Sequence, residues 1–417
     1  MAVLTLSFVA TKLRKKARTM HAHQIIQRLL SQECPQIHAK RRGCIARVVE
    51  ATGRGGLGVA KIAKHLMSRA DLRHRIKSCD RLLSNPHLAV ERVPIYRAMA
   101  RRVLRNKRHV QVIVDWSPVR EDGSAQLLRA AAVIEGRAIT LHEEVHPEKK
   151  LGSLSVHESF MRTLQTILPP RCHAVIITDA GFRATWFKLL NKLGFAWIGR
   201  IRNQDKVCRQ GTGTWIGCKE LYKNAQSMAR DLGKFLYART NPTPCRLVLY
   251  KAEEKGRRRL TKSGLPARSR RSKKNSASQR EPWLLAVSPA LAQLHATAVV
   301  KIYAARMQIE QTFRDLKNAQ WGMGLSNSQT KSVPRLAALL LIGALLTFAL
   351  WLIGLAARSA GYQLRYGSRY KAQNALSILS LATHWLKDEH RPRLTSTSIA
   401  SALTELTSMV RSWEFEG

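Results

Sequence analysis

Acidic side chains are scarce in this sequence: 27 Asp and Glu stand against 71 Lys and Arg over 417 residues, leaving a formal charge of +44 and a pI near 11.1. An excess of that size goes far beyond what solubility requires and excludes a chain that neutralises its own surface, so a polyanionic partner is expected. The basic residues run along the whole chain and not in one tail. The polyanion should therefore touch several segments, as an extended nucleic-acid duplex would, and nucleic acid fits better than a membrane surface.

Cysteines are also few. The seven, at 34, 44, 79, 172, 208, 218 and 245, form no CxxC and no Cys/His group at zinc spacing, which argues against a zinc module. An odd, scattered set fits reduced thiols in a cytoplasmic protein. Long hydrophobic runs are limited to one: Leu336 to Ala357, 22 residues with only Thr347 polar, is long enough to span a bilayer. It follows a candidate site helix after a short loop, and its neighbours resemble the rest of a basic soluble protein. We therefore read it as a helix buried in a large core, with no membrane partner. The first 21 residues read as an N-terminal extension. Its basic cluster lies after its apolar stretch, the reverse of a secretory signal, and Met20 is an alternative start.

With 45% hydrophobic residues the chain has enough apolar mass for two or three domains. Residues 22–106 carry helical periodicity throughout and read as a basic all-helical domain suited to DNA, with a helix-turn-helix arrangement possible in "VAKIAKHLMSRADLRHRIKSCDRLL". Residues 107–202 change to strands alternating with helices. "HVQVIVDWS" (109–117), "QLLRAAAVIEG" (126–136) and "RAITLHEEVHP" (137–147) suggest a meander, the last two joined by a tight Glu135-Gly136 turn. A helix (153–167), a strand (173–179), a helix (184–193) and a strand (195–201) follow, an α/β order for a mixed sheet flanked by helices. Residues 203–298 read as a β-rich insertion. Its basic loop, 255–280, holds eleven Lys or Arg, either a solubilising linker or an arm that neutralises phosphates. Residues 299–357 return to helix and 358–417 form a C-terminal helical region.

"IYAARMQIEQTFRDLKNAQWG", residues 302–322, carries the candidate site helix. At roughly 100° per residue, Tyr303, Arg306, Glu310 and Lys317 fall within an arc of about 60°. Ile302, Ile309, Phe313 and Leu316 fill a neighbouring arc of about 60°, so the polar stripe borders the core, where a cleft would be. A surface charge ladder has the same spacing. The two cleanest strands each end on an aspartate, Asp115 in "VQVIVD" and Asp179 in "AVIITD", and ligands of open α/β sheets gather at such ends. Either aspartate alone reads as a turn or cap residue. Three converging carboxylates repel, and hard divalent cations relieve that repulsion. Two Mg²⁺ ions, with Mn²⁺ able to substitute, would suit phosphoryl transfer on nucleic acid.

The spacing Tyr303-x2-Arg306-x3-Glu310-x6-Lys317, with Asp115 in "VDWS" and Asp179 in "TDAGF", resembles the YREK signature and paired aspartates of DDE transposases from bacterial insertion sequences of the family numbered four. The resemblance covers most of the chain from Met20 to the long apolar helix. It implies a ribonuclease H-like catalytic core interrupted by the β-rich insertion, and a nucleoid-associated bacterial protein. It further implies binding of terminal inverted repeats and target DNA, cut-and-paste chemistry through hairpin ends, and a homodimer in the DNA complex. Asp115, Asp179 and Glu310 would then hold the metals, while Tyr303, Arg306 and Lys317 grip phosphates. Trp283 would stack on a flipped base, although from the residues alone it reads as a core aromatic. His109, Trp116 and His173, which border the aspartates, read as packing or phosphate neighbours. A nuclease or resolvase that cuts without joining, and a non-catalytic DNA-binding derivative, are the rival readings.

Overall fold

The computed structural model describes residues 20–120, 122–202, 205–253, 265, 269, 281–320, 322–367 and 376–413. Residues 1–19 and, apart from Leu265 and Ser269, the basic loop expected at 255–280 lie outside them. Five helices come first: α1 (Ala22–Glu33), α2 (Ala39–Gly55), α3 (Val59–His65), α4 (Leu72–Leu83) and α5 (Pro86–Val103). Pro86 sits at the start of α5, where its missing N–H costs nothing, and the Asn85 side chain caps the same turn by accepting from His87 N at 2.9 Å.

The strands β1 (His109–Pro118), β2 (Ala125–Val133) and β3 (Ala138–Pro147) make an antiparallel meander. Gly136, at φ +72°, supplies the left-handed residue of the β2–β3 turn. After α6 (Leu154–Ile167), β4 (His173–Thr178) runs parallel to β1; after α7 (Ala184–Lys192), β5 (Ala196–Ile201) runs parallel to β4. Val110, Val112, Ile113 and Val114 are all buried, so β1 is covered on both faces, as a near-continuous apolar strand next to a parallel neighbour should be.

The next strands do not form a sheet of their own. β6 (Lys206–Arg209), β7 (Trp215–Gly217), the short α8 (Cys218–Leu221), β8 (Arg230–Tyr237), β9 (Thr243–Tyr250) and β10 (Trp283–Val287) extend the same sheet, because β10 pairs antiparallel with β5. The result is one ten-stranded mixed sheet in the order β3-β2-β1-β4-β5-β10-β9-β8-β6-β7, flanked by helices. The four-residue β6 has no apolar alternation and escaped the sequence reading.

α9 (Ala296–Ala304) and α10 (Met307–Lys317) follow, then α11 (Val333–Ser359), α12 (Gln363–Tyr366), α13 (Ile378–Lys387) and α14 (Ser396–Met409). The apolar run is α11, and 94% of its most hydrophobic window is buried inside the protein. It packs against α13, α14, β3, α2, α5 and α1, which gives it partners on every side and makes it a core helix.

Gly354 marks the tightest of these contacts. A Cβ there would lie 2.2 Å from the Ile378 carbonyl oxygen at the start of α13. Alanine in an exposed helix interior normally stabilises by about 1 kcal/mol over glycine. We expect Gly354→Ala to do the reverse and destabilise by about 1–3 kcal/mol through overpacking, read by urea denaturation; a neutral or stabilising result would mean that α11 and α13 are not packed this closely.

Candidate active site

β1 and β4 are adjacent and parallel, with Ile113 paired to Ile177. Two residues beyond that last pair stand Asp115, still on β1, and Asp179, just past β4, so both aspartates lie at the carboxyl ends of neighbouring parallel strands. Asp179 lies just past β4 and closes a tight turn, its Oδ1 accepting from Gly181 N at 2.8 Å. Burial and the Asp179 charge push the Asp115 carboxyl up to about 7, with Arg306 pulling against them and Glu310 adding to them. Asp115, Asp179, Arg306 and Glu310 therefore share one electrostatic neighbourhood.

Arg306 is the hub of that neighbourhood. Its Nη1 donates to Asp115 Oδ2 at 3.2 Å and its Nη2 to Glu310 Oε1 at 2.7 Å, so one guanidinium spans two acids from distant segments. Lys317 lies at the far end of α10, where Nζ donates to Ser117 Oγ at 2.6 Å and sits 5.6 Å from the Phe313 ring centre. Burial and nearby Arg129 lower its pKa, while Asp115 opposes them.

The segment 302–322 is not one regular helix. Between α9 and α10 the bonds tighten to i, i+3: Arg306 N to Tyr303 O at 2.9 Å, Gln308 N to Ala305 O at 3.0 Å and Ile309 N to Arg306 O at 3.2 Å. Tyr303 is therefore buried at the end of α9, edge-on to Trp283 with ring centres 5.0 Å apart, while Glu310 on α10 is exposed. Ile302, Ile309, Phe313 and Leu316 are buried, as the apolar stripe required. Trp283, at the first position of β10, is half-buried between Tyr303 and Tyr250.

The sequence reading missed the support beneath the site. Arg129, paired across the sheet with Asp115, is buried and donates through Nε and Nη2 to Glu143 Oε2 at 2.8 and 2.6 Å. Glu143 Oε1 in turn accepts from Tyr96 of α5 at 2.9 Å, and the Arg129 guanidinium lies 5.1 Å from the Phe313 ring centre. The available signal was Arg129 as the one charge in the apolar β2 stretch; β3 already carried both Glu143 and Glu144. His109 and His173 are register partners at the opposite, amino ends of β1 and β4.

Asp and Glu oxygens are the donors that hard divalent cations take, so the chemistry of the set fits such an ion. Among the described residues, however, no three His, Cys, Asp or Glu side chains converge closely enough to hold a metal. The guanidinium of Arg306 instead supplies the positive charge between Asp115 and Glu310.

Comparison with known protein families gives a match, over residues 106–347, to a family model described as "Transposase DDE domain". That span contains Asp115, Asp179 and the whole 303–317 signature, and its 242 residues (347 − 106 + 1) are more than half of the 417. No curated protein matches the sequence.

Trp116, next to Asp115, packs against His157 of α6 and His146 of β3, and its Nε1 donates to His157 Nε2 at 3.0 Å. Burial, then His146, holds the His157 imidazole down at about 4. Burial disfavours the Glu144 carboxylate nearby, but bonds from His142 and His146 outweigh it and hold its pKa at about 2. The unfolded chain therefore takes up a proton at His157 from the ordinary 6.5 downward, while the folded chain does not until about 4. Acidification across that window should cost on the order of 3 kcal/mol of stability, with Glu144 adding to the loss below its ordinary 4.5. His157→Gln, whose amide oxygen can still accept from Trp116, should flatten the slope of unfolding free energy between pH 6.5 and 4; an unaltered slope would exclude His157 as its source.

Proposed function

The chain belongs to the transposase DDE domain family, and from that premise we propose that it is a cut-and-paste DNA transposase of an insertion sequence, similar to the family numbered four. Membership makes DNA its partner, and DDE transposases generally work with divalent metal ions. The observation that carries the finer reading is the parallel register that sets Asp115 beside Asp179, with Glu310 tied to Asp115 through Arg306.

In this reading Asp115, Asp179 and Glu310 hold two Mg²⁺ ions, for which Mn²⁺ can substitute. When bound there, such ions would supply Lewis-acid activation of a phosphodiester and of its attacking water or 3′-hydroxyl. The remaining steps belong to side chains. Arg306 offers a bidentate fork to a phosphate and Lys317 a point charge. Asp115 must lose its proton before it can ligate, and its pKa near 7 keeps that transition close to neutral pH. Tyr303 supports Trp283, whose exposed side is offered to a base turned out of the duplex, which lets the cut end close into a hairpin.

The helices at 22–106 take the role of binding terminal inverted repeats. Lys61, Lys64, Arg69, Arg73 and Lys77 on and between α3 and α4 are exposed, in keeping with contacts to a phosphate backbone. Cleavage and joining of two ends implies a homodimer in the DNA complex and a nucleoid-associated cytoplasmic protein. In this scheme residues 107–202 and 299–357 form the ribonuclease H-like core and 203–298 the insertion, with 358–417 as the C-terminal helical region.

A strand-joining assay tests the proposal. Purified protein with Mg²⁺ and duplexes copied from the DNA flanking its coding sequence should nick the ends, yield hairpins and join them to a target plasmid; cleavage without hairpins or joined product would make it a nuclease or resolvase. Glu310→Ala should lower cleavage by about 10²–10³-fold or more while changing duplex affinity by about twofold at most. Full cleavage by that variant would remove Glu310 from the chemistry. Trp283→Ala should cut hairpin yield by about 5–150-fold, the equivalent of one lost base-stacking contact, and leave first-strand nicking in place; Trp283→Phe should retain most of the yield. Equal loss of nicking and hairpins in Trp283→Ala would reassign Trp283 to the core.

A further inference from the structure

Two observations stand together at the carboxylates. The acids that suit a divalent ion are not gathered around one among the described residues, and the space between Asp115 and Glu310 is spanned by the Arg306 guanidinium. The oxygens it engages, Asp115 Oδ2 and Glu310 Oε1, belong to two of the three carboxylates that would ligate metal. A guanidinium and a divalent ion cannot share these oxygens at bonding distance without bringing like charges together.

Among the described residues no other cation forms an ion pair with Asp115, Asp179 or Glu310. Lys317, the other basic residue of the stripe, is committed to Ser117 Oγ and the Phe313 face. Removing Arg306 from the pair therefore leaves the half-buried Asp115 near Asp179 with no compensating charge among the described residues, so the guanidinium has reason to stay until something replaces it. Two things can act at once: a metal ion takes over the carboxylates, and a phosphate takes over the guanidinium in the same bidentate geometry. Arg306 is itself largely buried, but its Nη2 is held by Glu310 Oε1 and the Met307 sulfur at 3.4 Å, two exposed residues, so the bonds it must release there lie at the surface.

We propose that Arg306 is a resident counter-cation that keeps the carboxylate site closed to metal until a DNA phosphate draws the guanidinium away, so that DNA and divalent metal bind with positive cooperativity. The inference rests on the reading that Asp115, Asp179 and Glu310 ligate metal. Its consequence is that free protein does not carry a loaded metal centre before DNA is bound. Reciprocity then requires metal to tighten DNA binding by the same factor.

The test is Mn²⁺ binding to the full chain, followed by the loss of the free-ion electron paramagnetic resonance signal, with and without a duplex copied from the DNA flanking the coding sequence. Wild type should bind Mn²⁺ weakly alone and about 10-fold or more tightly with the duplex. Arg306→Gln should bind tightly without DNA and gain about twofold at most from it, whereas Arg306→Lys should restore weak, DNA-dependent binding. Because Arg306→Gln leaves like charges unpaired, Mn²⁺ should also raise its unfolding temperature more than that of wild type, which reports on the site even if the variant folds less stably.

Equal Mn²⁺ affinity of wild type with and without duplex, or an unaltered affinity in Arg306→Gln, overturns the inference while leaving the metal site in place, provided that Asp115→Asn abolishes binding. If Asp115→Asn binds Mn²⁺ as wild type does under every condition, the metal-site reading fails and takes the inference with it.

Discussion

Repulsion among carboxylates in a partly buried space is the constraint on which the rest of this structure depends. Asp115 and Asp179 are neighbours because β1 and β4 are parallel and in register, and such a pair cannot both ionise cheaply away from water. Three basic groups among the described residues answer that problem in different ways. Arg306 pairs with Asp115 and Glu310, Arg129 is engaged by Glu143 on the neighbouring strand, and Lys317 is turned to Ser117. The site thus uses one cation for the acids and anchors the other two elsewhere. That arrangement keeps the acids ready to exchange a guanidinium for a different positive charge.

The parts of this arrangement written in local pattern were legible in the sequence. β1 and β4 announced themselves as apolar runs ending on aspartate, and the buried stripe of Ile309, Phe313 and Leu316 followed from helical spacing. What could not be read was decided by contacts between distant segments. "YAARMQ" has nothing against helix, yet the hydrogen bonds tighten at Ala305 and Arg306, where α9 lies over the distal strands and α10 over β1 and β3. Tyr303 consequently is buried against the half-buried Trp283 instead of lining up with Glu310. Arg129 and Glu143 stand on different strands, and only the β2–β3 pairing reveals them as partners. The apolar run at 336–357 has the composition of a membrane span, and its surroundings alone distinguish the two cases.

The long sheet explains how residues from a distant stretch reach the same site. β10 pairs with β5, itself the second neighbour of β1, so Trp283 at the start of β10 enters the sheet close to the strands that carry the aspartates. α9 then crosses back over β5, β8 and β9 and delivers Tyr303 to the Trp283 ring. A stretch of more than eighty residues between β5 and β10 can therefore vary in length without moving the aromatic pair, because hydrogen bonding to β5 fixes where it returns.

α11 performs the corresponding task for the helices. Its Gly343 lies under the Leu316 side chain of α10 and the Leu57 side chain between α2 and α3, so both approach the core helix at one point. Leu57 N also donates to Met323 O at 2.8 Å, just beyond α10. The basic N-terminal helices and the helix bearing Glu310 are thereby referred to a common buried axis, and interiors packed at protein density pass displacement on instead of absorbing it. Duplex DNA held by α3 and α4 would then meet Arg306 at a distance set by this core rather than by a flexible link. A site in which a phosphate must reach one particular guanidinium needs that kind of fixed geometry, and the apolar helix that first suggested a membrane is what provides it.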